Sequence, residues 1–286
     1  MRWERGRRSD NIEDRRGMRV GGRSLAGGGI GAIVLALVAL YFGVDPAVVL
    51  NQAGGLAGSP QEAAQPAPSD PNEDRLKAFM SVVLADTEDV WGSLFRRSGK
   101  QYVEPRLVLF SGAVESACGH ASAAMGPFYC PGDQKLYLDM SFFDDLARRH
   151  DAPGDFAQAY VVAHEVGHHV QTLLGISEKV HAARSRAGEA EGNALQVRME
   201  LQADCFAGVW AHHANQQRQV LEPGDTEEAL AAAAGVGDDR LQQQARGYVV
   251  PESFTHGSSE QRMRWFRRGM ETGDPGQCDT FKSARL

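Results

Sequence analysis

The sequence predicts an α+β domain, mainly helical, with a small sheet near its start and one transmembrane helix before it. Three observations carry this. Apolar residues recur at spacings of three and four through most of the chain beyond residue 75. Short apolar runs bounded by turn residues cluster between residues 107 and 139. An uncharged stretch, residues 25–44, follows an arginine-rich start. With 42% hydrophobic and 23% charged residues the chain is not wholly disordered, and four cysteines in 286 residues are too few for a disulfide-stapled scaffold.

Charge is unevenly placed. Residues 1–23 hold eight arginines against four acids, a net of +4; the whole chain is at −7, so the remainder is at −11. Residues 25–44 read LAGGGIGAIVLALVALYFGV, which as a helix spans about 30 Å, the hydrocarbon thickness of a bilayer. Arginines on its N-terminal side alone predict a basic cytoplasmic tail, residues 1–24, and a body outside the cytoplasmic membrane. The tail also carries Glu4, Asp10, Glu13 and Asp14 and is long for the basic segment of a signal peptide, so the expectation is an uncleaved single-pass anchor. Residues 45–74 hold five of the twelve prolines and read as a flexible linker, leaving 75–286 as the folded domain. The acidic balance speaks against a nucleic-acid partner, which needs a basic face.

Within the domain, Leu76, Phe79, Met80, Val83, Leu84, Val90, Trp91, Leu94 and Phe95 form one helical stripe facing a core. Residues 107–110 read as a strand, and residues 126–139 as a hairpin turning at Pro131-Gly132-Asp133. Helices are predicted over 141–149, 155–174, 185–215, 226–246 and 259–270. Asp225 with Glu228, and Ser258 with Gln261, have capping-box spacing.

The helix over 155–174 contains His164-Glu165-Val166-Gly167-His168. Two histidines four apart lie on one helical face, one turn apart, near enough to share an ion. Glu165 beside them can take a proton from water activated on a metal with an open position. The segment ahead, Tyr160-Val161-Val162-Ala163, is uncharged, and a buried His-Glu-His group without a metal is costly to desolvate. His169 sits about 100° round the helix from His168 and is expected to bond elsewhere. The extended motif with a third histidine fails, because Gln171 stands where it has Gly and Leu174 where it has His. A second helix must supply the third ligand. Glu200 is the candidate, with Asp204 one turn on to accept the free N–H of a ligand histidine; Glu178, His181, Glu189 and Glu191 are the alternatives.

H-E-x-x-H followed by E-x-x-A-D resembles the arrangement of glutamate-ligand zinc peptidases, the gluzincins. Residues 119–139, 154–176 and 198–210, with 7–17 and 254–266, are similar to the bacterial neutral zinc metallopeptidase family, whose members carry a basic, membrane-anchored N-terminus. The resemblance covers nearly the whole chain except the linker. It implies a zincin-like fold, one Zn2+ per chain and hydrolysis of a peptide or protein substrate, with no particular substrate indicated.

Four cysteines allow three pairings. Cys118 with Cys130 and Cys205 with Cys278 is preferred: the first closes a short loop and the second pins the C-terminal tail to the helix of Glu200. Candidate donors to a tetrahedral oxyanion are His256, in a loop, and one of Tyr129, Tyr137, Tyr160 or Tyr248. The leading expectation is a membrane-tethered zinc peptidase with Glu165 as general base. A zinc-stabilised binding module without turnover, and a metalloamidase acting on cell-envelope material, are the alternatives.

Overall fold

The computed structural model describes residues 1–17 and 71–286. Helix α1 (Pro71–Arg97) opens on a proline, whose missing N–H costs nothing in a first turn, and buries the predicted stripe from Phe79 to Phe95. The main sheet has the order β1-β2-β6-β5, formed by β1 (Ile12–Asp14), β2 (Arg106–Phe110), β5 (Phe128–Cys130) and β6 (Lys135–Asp139). β1–β2 and β2–β6 pair in parallel; β5–β6 is the expected antiparallel hairpin. Alternate residues serve two faces. Leu107 and Leu109 join Leu136 and Leu138 in the main core, while Val108, Phe110 and Tyr137 pack under a second hairpin, β3 (Ala113–Ser116) and β4 (Gly119–Ser122).

The helices that follow are α2 (Phe142–Arg149), α3 (Asp155–Leu173), α4 (Ile176–Arg184), α5 (Glu189–Arg218), α6 (Asp225–Gly235), α7 (Asp238–Arg246) and α8 (Ser259–Thr272). α3 and the middle of α5 are buried on nearly all sides, which their apolar residues permit. They cross where Gly167 meets Ala203: a Cβ at residue 167 would stand 3.0 Å from the Cα and carbonyl oxygen of Ala203. α8 closes on α5 in the same way at Gly269, where a Cβ would collide with the carbonyl of Cys205. The cysteines lie at disulfide distance in the preferred pairs, 2.02 Å between the sulfurs of Cys118 and Cys130 and 1.97 Å for Cys205 and Cys278.

Three local expectations change. The helix expected over 226–246 is two, α6 and α7, because Gly237 is extended and packs so closely on the backbone of Ser259 that a Cβ would lie 2.5 Å from its nitrogen. A separate helix, α4, precedes α5. The Asp225–Glu228 pair forms no capping box: Glu228 instead accepts from the N–H of Phe156, at 3.1 Å, in the first turn of α3. The Ser258–Gln261 box is present in full.

The start of the chain departs furthest from expectation. Residues 1–17 belong to the same folded unit as the body. β1 is an edge strand of its sheet, the Met1 amine meets Asp155 at 2.8 Å and Glu222 at 3.0 Å, and Arg16 reaches Asp14 at 2.7 Å and Glu73 at 3.1 Å. Glu88 of α1, buried, accepts from Arg7 at 2.7 Å, Ser9 at 2.5 Å and Asn11 at 2.9 Å. A single span between tail and body would put them on opposite sides of a membrane, and none of these contacts could form. The expected localisation, with a cytoplasmic tail and an extracytoplasmic domain, is corrected on that ground. The expected transmembrane helix is corrected likewise: among the described residues no helix is long and apolar enough to cross a membrane. Residues 25–44 of that expected helix, and residues 45–70 of the expected linker, lie outside the described residues.

Glu88→Ala removes the acceptor for three tail side chains. Trypsin should then cut at Arg7 and Arg8 in the variant under conditions in which the wild-type tail resists. Equal cutting of both proteins would show that the tail does not dock on α1.

Candidate metal centre

The α3–α5 crossing sets the centre. Its closeness at Gly167 brings the residues on either side, His164 and His168, against Glu200 and Asp204 of α5. His164 Nε2 lies 3.1 Å and His168 Nε2 3.4 Å from the same oxygen, Glu200 Oε2. The ligating atoms of the three residues all fall within 4.8 Å of one another. Glu178, His181, Glu189 and Glu191 are not in this group.

Each ring nitrogen facing away is held. His164 Nδ1 donates to Asp204 Oδ1 at 2.8 Å. Asp204 is buried and also accepts from Tyr160 at 2.5 Å and, through both oxygens at 2.9 Å, from Arg262 of α8. Burial opposes its charge, but Arg262 and His164 outweigh that and hold its pKa below the usual carboxylate range. His168 Nδ1 donates to Gln171 Oε1 at 2.9 Å. The other oxygen of Glu200 accepts from Gln196 at 2.7 Å. Burial works against a charge on His164, yet Asp204 and Glu200 raise its pKa to about 10. That same negative field favours a cation between the rings.

His169 takes no part. Its Nε2 donates to the carbonyl of Val103 at 2.6 Å, so its Nδ1 accepts from Tyr129, at 3.1 Å. The centre lies in a cleft of about 760 Å³ with apolar walls that include Phe128, Phe142, Val180, Met199 and Leu241. Glu165 and His256 line the same cleft. The Glu165 carboxylate has no hydrogen-bond or ion-pair partner among the described residues, whereas His256 is held by Asp238: one carboxylate oxygen accepts from the backbone N–H groups of Thr255, His256 and Gly257 at 2.7, 2.6 and 3.0 Å, and the other lies 3.3 Å from His256 Nδ1. Arg262, Gln171, Gln196 and Asp238 belong to the site without any motif that marks them as site residues in the sequence. Arg262 had one local signal: it falls on the buried face of a helix with Trp265, Phe266 and Gly269.

A family model described as "Putative neutral zinc metallopeptidase" matches residues 1–281. The chain belongs to this family. It is 53% identical over 291 residues to the Escherichia coli (strain K12) protein named YpfJ, covering 98% of this chain and 99% of that one. It is 50% identical over 195 residues to the Mycobacterium tuberculosis (strain H37Rv) protein Rv2575, 65% of each chain. No solved structure matches.

The family implies zinc, and the residues present fit it. Two imidazole nitrogens and a carboxylate oxygen are zinc donors, and tetrahedral bonds of about 2.0–2.1 Å put neighbouring ligand atoms about 3.3–3.4 Å apart. The separations of 3.1 and 3.4 Å match that edge. Replacing His164, His168 or Glu200 by alanine should each strip zinc from the purified protein, while His169→Ala should lower stability and leave zinc content unchanged. Full zinc content in Glu200→Ala would remove it from the ligand set.

Proposed function

We propose that the protein is a zinc-dependent peptidase with His164, His168 and Glu200 as metal ligands and Glu165 as general base. The observation that carries the reading is the state of Glu165. Its neighbours His164, His168 and Glu200 converge and are tied down, yet its own carboxylate, in the cleft wall beside them, has no hydrogen-bond or ion-pair partner among the described residues. A binding module has no use for a fourth residue here, an acid committed to nothing.

Zinc at such a centre supplies Lewis-acid activation of water and polarisation of a carbonyl. The rest falls to the chain. Glu165 takes a proton from the attacking water and returns it to the leaving amine. The apolar walls of the cleft hold a substrate segment and exclude solvent. An oxyanion needs a donor, and the tyrosines are committed or distant: Tyr129 donates to His169, Tyr160 to Asp204 and Tyr137 to Asp133, while Tyr248 is exposed away from the cleft. His256 is the remaining candidate donor. Its Nδ1 lies 3.1 Å from Thr255 Oγ1 and 3.3 Å from Asp238 Oδ1; where Nδ1 donates to that carboxylate, Nε2 carries a proton only as imidazolium.

Glu165→Gln keeps size and polarity but cannot take the proton. Peptide hydrolysis should fall by at least ~100-fold, with zinc content and thermal stability unchanged. Equal hydrolysis by both proteins would remove Glu165 as the base.

The bond to Asp238 raises the pKa of His256; burial opposes this, Glu200 adds to it and Arg262 subtracts. The working form is the protonated one, so kcat/KM should fall as pH rises through that raised pKa. Asp238→Asn should move this limb to lower pH. An unmoved limb would dissociate His256 from the reaction.

A further inference from the structure

The two ligand histidines are oriented by different chemistry. Behind His164 stands an anion, Asp204, neutralised by Arg262. Behind His168 stands a neutral amide, Gln171, one turn along the same helix and fully buried. Gln171 occupies the position where the extended three-histidine motif has glycine, and a glycine there could not reach back to His168.

What makes Gln171 informative is its other end. Its Nε2 donates to the main-chain carbonyl of Met199 at 2.7 Å and to Gln202 Oε1 at 3.1 Å. Gln202 in turn donates from Nε2 to the carbonyl of Cys278, at 2.9 Å. The two ends of a side-chain amide are told apart by their neighbours, and a main-chain carbonyl can only accept. Cys278 O therefore makes Gln202 present its oxygen to Gln171. Met199 O and that oxygen both demand that Gln171 present its NH2 to α5. The Oε1 of Gln171 is left for His168, and it too can only accept. His168 must then carry its proton on Nδ1, which leaves the Nε2 lone pair facing Glu200.

We propose that Gln171 is a positioning residue for His168, and that Gln202 and the carbonyl of Cys278 act through it as a relay that fixes the metal-binding tautomer. The inference rests on the ligand set proposed above. Its direction is outward to inward. The C-terminal segment, bridged to α5 by Cys205–Cys278, supplies the terminal acceptor; α5 supplies Met199 O and Gln202; α3 supplies Gln171 and the ligand. Hydrogen-bond partners of this kind orient the ring and raise its basicity, and their loss typically weakens metal binding by about 10–100-fold.

The test is the zinc dissociation constant of the full-length protein, measured against a chelator of known affinity, for wild type, Gln171→Leu, Gln202→Leu, the double variant, and alanine variants of His164, His168 and Glu200. Gln171→Leu should bind zinc about 10–100-fold more weakly. Gln202→Leu should bind more weakly by a smaller factor, since Met199 O still orients Gln171. In the double variant the Gln202 substitution should add nothing, because a residue that acts only through a partner is silent when the partner is gone. A merely structural role would not give that silence. In the zinc-loaded protein, the His168 Nδ1 proton should exchange with solvent faster in Gln171→Leu while that of His164 is unmoved.

If the three alanine variants bind zinc as wild type does, the ligand set itself is wrong and the relay falls with it. If they lose zinc while Gln171→Leu binds as tightly as wild type, the ligand set stands and the relay is refuted. Should Gln171→Leu fail to fold, Gln202→Leu decides: unchanged affinity there overturns the relay.

Discussion

The structure depends on one close approach, the crossing of α3 and α5 at Gly167 and Ala203. A side chain at either contact larger than those present would part the helices by the width of a methyl group or more, and the separations at the centre have no slack for that. Two imidazole nitrogens and one carboxylate oxygen lie 3.1 and 3.4 Å apart across this crossing. The glycine inside the His-Glu-x-x-His turn is therefore part of the site's geometry, although its atoms take no part in the chemistry.

Such a crossing buries charge, and the molecule meets that cost by pairing every charge it buries there. Asp204 accepts four hydrogen bonds, two of them from Arg262, which is itself nearly inaccessible. An ion pair this deep adds little net stability, but removing one partner would leave a bare buried charge at a cost of about 3–5 kcal/mol. Its value is positional. Arg262 is brought in by α8, whose own close contact with α5 at Gly269 sets how far the guanidinium reaches. Three helices thus converge on one histidine, while the second histidine is approached through uncharged amides. The ring positions are determined from outside the cleft, while Glu165 and His256 line it.

Much of this was legible in the sequence, for physical reasons that differ from residue to residue. His164, Glu165 and His168 declare themselves because a four-residue spacing has one meaning on a helix. Glu200 and Asp204 stand out because two acids on an otherwise apolar stretch need partners. The hairpin at Pro131-Gly132-Asp133 and the Ser258 cap are local events written in local residues. Gln171, Gln202 and Arg262 were illegible, since nothing about an amide or a guanidinium says what it will meet across a helix crossing. β1 was hidden for a related reason: Ile12-Glu13-Asp14 has no apolar alternation, and its partner Leu107–Leu109 is remote in sequence. The charge asymmetry was real but misassigned. Tail arginines that suggested the cytoplasmic side of a membrane instead meet acids: Arg7 meets Glu88 and Asp89, and Arg16 meets Asp14 and Glu73. A basic segment and an acidic body are also what two parts of one domain look like when they dock.

In the proposed centre, oriented side chains from α3 and α5 hold one zinc ion through two imidazoles and a carboxylate. Zinc K-edge X-ray absorption on the purified full-length protein reads that directly. The expected spectrum has nitrogen and oxygen neighbours at about 2.0–2.1 Å, the outer scattering of two imidazole rings and no sulfur. A sulfur shell at about 2.3 Å, or the scattering of a single imidazole, would contradict it.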